Sequence, residues 1–283
     1  MTMDARYHPP LHQDPAAAAF GLTAMERGDG PPVVLVHGAL GDYRQWAPIG
    51  DRLATDYRVV ALSRRYHWPN PAPESDAPYT YERQCDDLLA WLQAGGRSVH
   101  LAGHSYGAGI VLLAALREPR IVRSLILIEP PFGSLVPDDA PDLEEELADR
   151  VSAIAKIQAL AKEGATEEAS RLLIDWTQGG RGGFSALPAE ARQVLLENAA
   201  TIGPTFAAAP PVVTCDALRD VRTPTLVLNG ERTRPFYRVV GERAAECLPR
   251  ARRALIPQAA HMTIVEQPDE TAALMRTFLD EEV

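Results

Sequence analysis

The chain is predicted to be α/β, with a mostly parallel central sheet, helices on both faces and a helical insertion. Short apolar runs alternate with stretches of helical period from Val33 onward, as expected of strands joined by crossover helices. The alternation breaks once, between Phe132 and about Cys215, where helical periods run without a convincing strand. A length of 283 residues with 46% hydrophobic side chains suffices for one large domain carrying such an insertion.

The elements follow in order. Met1 to about Pro15 is polar and rich in Pro and His. It lacks the basic start and apolar stretch of a secretory signal and reads as a loose tail. Val33–Val36 is a buried strand entering the loop His37-Gly38. Tyr43–Ala54 has helical spacing, with Trp46, Ile49 and Leu53 on one face. Tyr57–Leu62 is the next strand, and the proline-rich stretch Arg64–Pro78 is a loop. Thr80–Ala94 repeats the helical period through Cys85, Leu88, Leu89 and Leu92 and stops at Gly95-Gly96. The apolar run Val99–Ala102 reads as a strand, Ala108–Leu116 as a buried helix and Ser124–Ile128 as another strand.

The insertion carries helices over Asp142–Glu163, Thr166–Thr177 and Pro188–Thr201. Strands resume at Thr225–Asn229 and Ala251–Ile256, each followed by a helix, Pro235–Leu248 and Pro268–Glu281. The expected division is a core of 16–131 and 216–283 and a helical cap of 132–215. An insertion at the carboxyl ends of the strands would lie over the ligand crevice; the alternative is an elaboration packed elsewhere.

Composition excludes several classes. The net charge is −10 and no basic stripe appears, which argues against nucleic acid. No apolar run reaches the ~20 residues of a membrane helix. The acidic cluster from Asp138-Asp139 to Glu144-Glu145-Glu146 reads as a solvated helix start. Cys85, Cys215 and Cys247 are widely spaced and odd in number. They suggest neither zinc nor disulfides and are expected as small buried residues in a reducing, cytoplasmic setting. No metal-ligand spacing or dinucleotide fingerprint is present, so neither cofactor nor metal is expected.

The most informative residues are Gly103-His104-Ser105-Tyr106-Gly107, a G-x-S-x-G motif between the strand ending at Ala102 and the helix starting at Ala108. Strand, tight turn and helix are the context of a nucleophile elbow, which pushes the serine oxygen out at the end of a strand. The following helix aims its free N–H groups and positive dipole at any charge developing there. With His37-Gly38 after an early strand and Ala260-His261-Met262 before the last helix, the chain resembles the α/β-hydrolase family from about Gly21 to the C-terminus.

That resemblance implies a Ser…acid…His triad and an oxyanion hole of two backbone N–H groups, here Tyr106 and Ala39. Ser105 would be the nucleophile, and a serine hydroxyl needs a base beside it. His261, in a loop between a strand and the last helix, is the best base. The acid departs from the family pattern, which places an Asp three residues after the glycine of Gly230-Glu231-Arg232-Thr233; a threonine stands there. Glu129, at the end of the strand after the Ser105 helix, is the favoured acid, with Glu231 the alternative.

The segment Arg64, Arg65, Tyr66, His67 and Trp68 leaves the carboxyl end of a strand. It could hold an anionic or aromatic substrate, or its arginines could pair with carboxylates and its aromatics pack. Gly179-Gly180-Arg181-Gly182-Gly183-Phe184 suits a hinge or gate. The expected function is cofactor-independent hydrolysis of a small-molecule ester, thioester or lactone through an acyl-enzyme. A carbon–carbon bond hydrolase with the same triad and a non-catalytic receptor of the same fold stay open. Substrate identity and oligomeric state do not follow from the residues.

Overall fold

A computed structural model describes residues 15–72, 79–96, 98–137, 140 and 143–282. The expected tail up to residue 14, part of the proline-rich loop and Asp138-Asp139 of the acidic cluster lie outside the described residues.

The strands follow the apolar runs, and the sequence period decides which face each residue covers. After the short helix α1 (Pro15–Ala19) come β1 (Thr23–Arg27), β2 (Pro32–Val36), α2 (Ala47–Leu53), β3 (Arg58–Ser63), α3 (Tyr81–Gly95), β4 (Val99–His104), α4 (Tyr106–Arg117) and β5 (Val122–Ile128). Next are α5 (Glu144–Lys162), α6 (Thr166–Thr177), α7 (Gly183–Ala186), α8 (Ala189–Glu197), α9 (Ile202–Ala207) and α10 (Cys215–Arg219). The chain closes with β6 (Thr225–Gly230), α11 (Pro235–Cys247), β7 (Ala251–Ile256), α12 (Thr263–Glu266) and α13 (Pro268–Glu281).

One sheet of seven strands results, in the order β1-β3-β2-β4-β5-β6-β7. All neighbours are parallel except β1 and β3. Sequence period does not reveal β1, because only Ala24 and Met25 of its five residues are buried. As an antiparallel edge strand it lacks the continuous apolar run that marks the inner strands.

Alternation along each strand sorts the core into two layers. Val34, Val36, Leu101, Leu125, Leu127 and Val227 face a layer shared with α3, α4 and α11. Val33, Leu35, Ala102, Ile126, Ile128 and Leu228 face the opposite layer, with α2 and α13. Trp46 belongs to that second layer and is fully buried. A third apolar cluster lies among the inserted helices and includes Ile157, Leu173, Phe184 and Leu195. It also takes in Leu40 and Met262, from the loops that follow β2 and β7. The insertion therefore packs at the carboxyl ends of the strands. Asn198 strengthens this seat by donating from Nδ2 to Asp42 Oδ2 at 2.8 Å, where Asp42 is buried in an ion pair with Arg44.

The cysteine expectation is corrected. Cys215 and Cys247 are disulfide-bonded, with Cα atoms 5.1 Å apart, because α10 packs against α11 and closes their sequence separation. Only Cys85 stands as the expected buried free thiol. Cysteine spacing therefore gives no ground for placing the chain in a reducing compartment. Among the described residues, no helix is long and apolar enough to cross a membrane.

Candidate active site

Ser105 sits where β4 turns into α4, with φ 50° and ψ −117°, a backbone state that L-residues rarely adopt. Its N–H donates to Ile128 O at 2.8 Å, which ties the turn to the end of β5. The neighbouring Gly107 is required by close approach, since a Cβ there would collide with the carbonyl oxygens of Val36 and His37. Gly38 brings the loop after β2 against the same point, where a Cβ would stand 3.2 Å from Ser105 Cβ.

Three side chains from the ends of β4, β5 and β7 meet in a line. Ser105 Oγ is 3.0 Å from His261 Nε2, and His261 Nδ1 is 3.0 Å from Glu129 Oε2. Glu129 is fully buried and accepts from Gly230 N–H at 2.7 Å, Thr233 Oγ1–H at 2.6 Å and Asn229 Nδ2–H at 3.3 Å. Those donors favour the carboxylate, while burial opposes it and pushes the Glu129 carboxyl up to about 7. Burial also lowers His261 well below its usual value. The imidazole is thus neutral near pH 7, with Nδ1–H donated to Glu129 and the Nε2 lone pair facing Ser105.

The His261 loop is fixed on three sides. His104, held neutral by burial, donates from Nε2 to His261 O at 2.9 Å. Ala260 N–H donates to Glu266 Oε2 at 3.0 Å. Met262 N–H donates at 2.9 Å to Oε1 of Gln178, at the end of α6.

The sequence-predicted acids separate cleanly. Glu231 does not approach His261; it is exposed and accepts from Gln258 N–H at 2.9 Å. The threonine at the position of the family's Asp is part of the site after all, because Thr233 donates to the carboxylate of Glu129. Sequence reading missed that role, although an acid moved to β5 leaves room for a hydrogen-bond donor where the old acid stood.

The line opens into a cavity of about 320 Å³. Ser105, His261, Ala39 and Tyr106 line it together with Arg150, Ile154, Leu173 and Phe206 of the inserted helices. Tyr106 is the first residue of α4, so its N–H has no partner within the helix. A model of the alpha/beta hydrolase family matches residues 33–274.

The chain belongs to the alpha/beta hydrolase family.

It is 24% identical over 274 residues to a 2-(acetamidomethylene)succinate hydrolase of Mesorhizobium japonicum, covering 92% of this chain and 91% of that protein. It is 23% identical over 268 residues to carboxylesterase YbfK of Bacillus subtilis, covering 89% and 81%. The crystal structure of an alpha/beta hydrolase from Sphaerobacter thermophilus superposes with a TM-score of 0.69 at 26% identity, over 91% of this chain and 96% of that one. Family and relatives agree on a hydrolase.

In this hydrolase the segment Arg64–Trp68 does not line the cavity, which corrects its reading as a substrate-binding loop. The physical reason is that its polar groups are already satisfied. The Arg64 guanidinium donates to His37 O at 3.2 Å, to Gly38 O at 2.9 Å and to Gln84. Arg65 holds Asp87 with two bonds of 2.6 and 2.7 Å. Tyr66 stacks with Tyr79. His67 donates from Nδ1 to Gly41 O at 2.6 Å and accepts from Tyr79 Oη–H at 2.7 Å. The Trp68 ring lies under the Arg44 guanidinium, 3.9 Å from it. Arg64 and His67 clamp carbonyls of the loop that carries Ala39, so the segment shapes the site from behind.

Gly179, Gly180 and Gly182 form the turn between α6 and α7, all with positive φ. The neighbouring Gln178 binds the His261 loop, so the turn adjoins the Ser105–His261–Glu129 line.

Proposed function

We propose that Ser105, His261 and Glu129 form a catalytic triad that hydrolyses a carboxylic ester or related acyl bond through an acyl-enzyme. The unbroken line of two 3.0 Å hydrogen bonds from Ser105 to a buried carboxylate carries this reading. Ser105 Oγ attacks the acyl carbon while its proton passes to His261 Nε2. The carbonyl π electrons move onto oxygen, which is received by the N–H groups of Ala39 and Tyr106. Such preset donors are worth roughly 3–4 kcal/mol each. When the tetrahedral intermediate collapses, the leaving oxygen takes the proton from His261 and departs as the alcohol. Water then repeats the sequence on the acyl-enzyme and releases the acid and free Ser105. Glu129 holds the proton-bearing Nδ1 throughout and stabilises the imidazolium. The helices of 132–215 serve as the cap that closes the cavity over the acyl group.

A fluorophosphonate probe tests the nucleophile. Rapid labelling at Ser105 that is abolished in Ser105→Ala is expected; a silent probe on folded protein overturns the reading in favour of a binding protein.

The acid limb of kcat/KM gives a second test. Glu129 must be ionised to accept from His261, and its carboxyl sits at about 7, so activity is expected to fall as the pH drops through that region. The apparent value belongs to the Glu129–His261 pair. Thr233→Val removes a donor that favours the carboxylate, so the limb should move to higher pH, with kcat at neutral pH reduced about tenfold. An unmoved limb would separate Thr233 from the titrating group.

A further inference from the structure

We infer that the substrate carries a carboxylate and that Arg150 receives it. This rests on the reading of Ser105 as nucleophile only for where the scissile bond lies. The face of α5 toward the cavity is spaced four residues apart, Arg150, Ile154 and Gln158, the spacing that aligns side chains along one side of a helix. Among the described residues lining the cavity, Arg150 is the one permanently charged side chain, and none is Asp or Glu.

The position is unusual for an arginine in this acidic chain. The adjacent carboxylates of α5, Glu146 and Asp149, are both taken by Arg234, at 2.7 and 2.6 Å. Asp149 also accepts from Trp176 Nε1–H at 2.8 Å. Arg150 has no ion pair among the described residues. Its guanidinium instead packs on the Phe236 ring, 4.4 Å from the centroid. Stacking fixes the plane and leaves the N–H edge free, the arrangement that suits a bidentate carboxylate.

Two further donors stand nearby. Tyr81 and Tyr237 line the same cavity, and the Arg150 charge acts on both phenols. Neither phenol O–H has a hydrogen-bond partner among the described residues. A half-buried cation with two spare donors and no facing carboxylate is complementary to an anion brought by the ligand. Ile154, Leu173 and Phe206 supply an apolar wall along the same cavity, which suits a short hydrocarbon spacer between that anion and the acyl carbon.

The test compares monoethyl succinate, glutarate and adipate, anionic near neutral pH, with their diethyl esters. The wild type is expected to prefer at least one monoanion over its diester in kcat/KM. Arg150→Gln should cut that preference roughly 30-fold, mostly through KM, as expected for loss of a charge-assisted pair. Arg150→Lys, which keeps the stem on Phe236 and the charge, should retain a larger share. If Arg150→Gln fails to fold, Arg150→Met takes its place. Binding is read separately by calorimetry on Ser105→Ala, which should bind the preferred monoester and lose it when Arg150→Gln is added. Binding without turnover of any ester would leave the carboxylate site standing and sink the acyl-transfer reading. Turnover with no preference for the monoanion, together with no binding difference at Arg150, overturns the inference.

Discussion

Glu129→Gln is expected to lower kcat on the order of 10⁴-fold, while Glu231→Gln stays within about twofold of the wild type. The size of the first effect follows from the donors around the carboxylate. Gly230 N–H, Thr233 Oγ1–H, Asn229 Nδ2–H and His261 Nδ1–H all converge on Glu129. A glutamine amide keeps the shape but replaces one acceptor oxygen with an NH₂ group. If that group meets His261, two donors oppose each other and the imidazole proton moves to Nε2, where Ser105 needs a lone pair. If the amide is turned over, Gly230 and Asn229 lose their shared acceptor instead. Glu231 bonds only to a surface turn, so its charge has no route to His261. Single-turnover kinetics with an activated ester, beside a thermal melt of each variant, separates lost chemistry from lost fold. The reverse ranking of rates would overturn the assignment of the acid.

Much of this site is legible in the sequence because its parts sit at strand ends that the apolar runs mark. Ser105 is announced by its glycines and flanks, His261 by its place before the last helix, and Glu129 by ending a buried strand. The sequence does not reveal what lies across the chain from each residue. Arg64–Trp68 presents the right residue types beside the right strand end, yet Gln84, Asp87 and Tyr79 claim it from α3 and the loop before it. Thr233 reads as a missing acid until Glu129 is placed beside it. Arg150 sits in a helix whose periodicity says nothing about which face meets Ser105. The Cys215–Cys247 bond depends on how α10 seats on α11, which spacing alone does not encode. The edge strand β1 is too polar to show itself by period.

Stability is expected to fall steeply as the pH drops from 6.5 toward 5, by an amount on the order of several kcal/mol. His37, His67, His100, His104 and His261 are all buried. Burial lowers each of them, to about 4 for His100 and about 3 for His104. The unfolded chain, with ordinary imidazoles, binds these protons more readily than the native state. The stability contributed by neutral histidines is therefore complete above about pH 6.5 and is lost below it, until the folded values are reached. Each histidine costs up to about 1.4 kcal/mol per pH unit over that window. Glu129 acts with the opposite sign, because its folded value is raised, and offsets about one histidine. Four remain, against a usual total stability of about 5–15 kcal/mol. Urea unfolding at half-unit pH steps checks this; a midpoint that stays constant from pH 7 to 5 would mean that the fold admits the protons.

Placing the Glu129 carboxylate directly after β5 has a consequence for how this enzyme can change. Ser105 and Glu129 follow neighbouring parallel strands in matched register, His104 opposite Ile128. Their backbones are pinned by Ser105 N–H to Ile128 O and Glu129 N–H to Leu228 O, each at 2.8 Å. The spacing of Ser105 and the Glu129 carboxylate is thus fixed by the sheet ladder and not by an excursion beyond it. The turn after β6 is left with a lighter duty, one amide and one hydroxyl donated inward, while Glu231 and Arg232 point outward as exposed residues. That stretch is where an engineer could graft new side chains with the least disturbance to the chemistry.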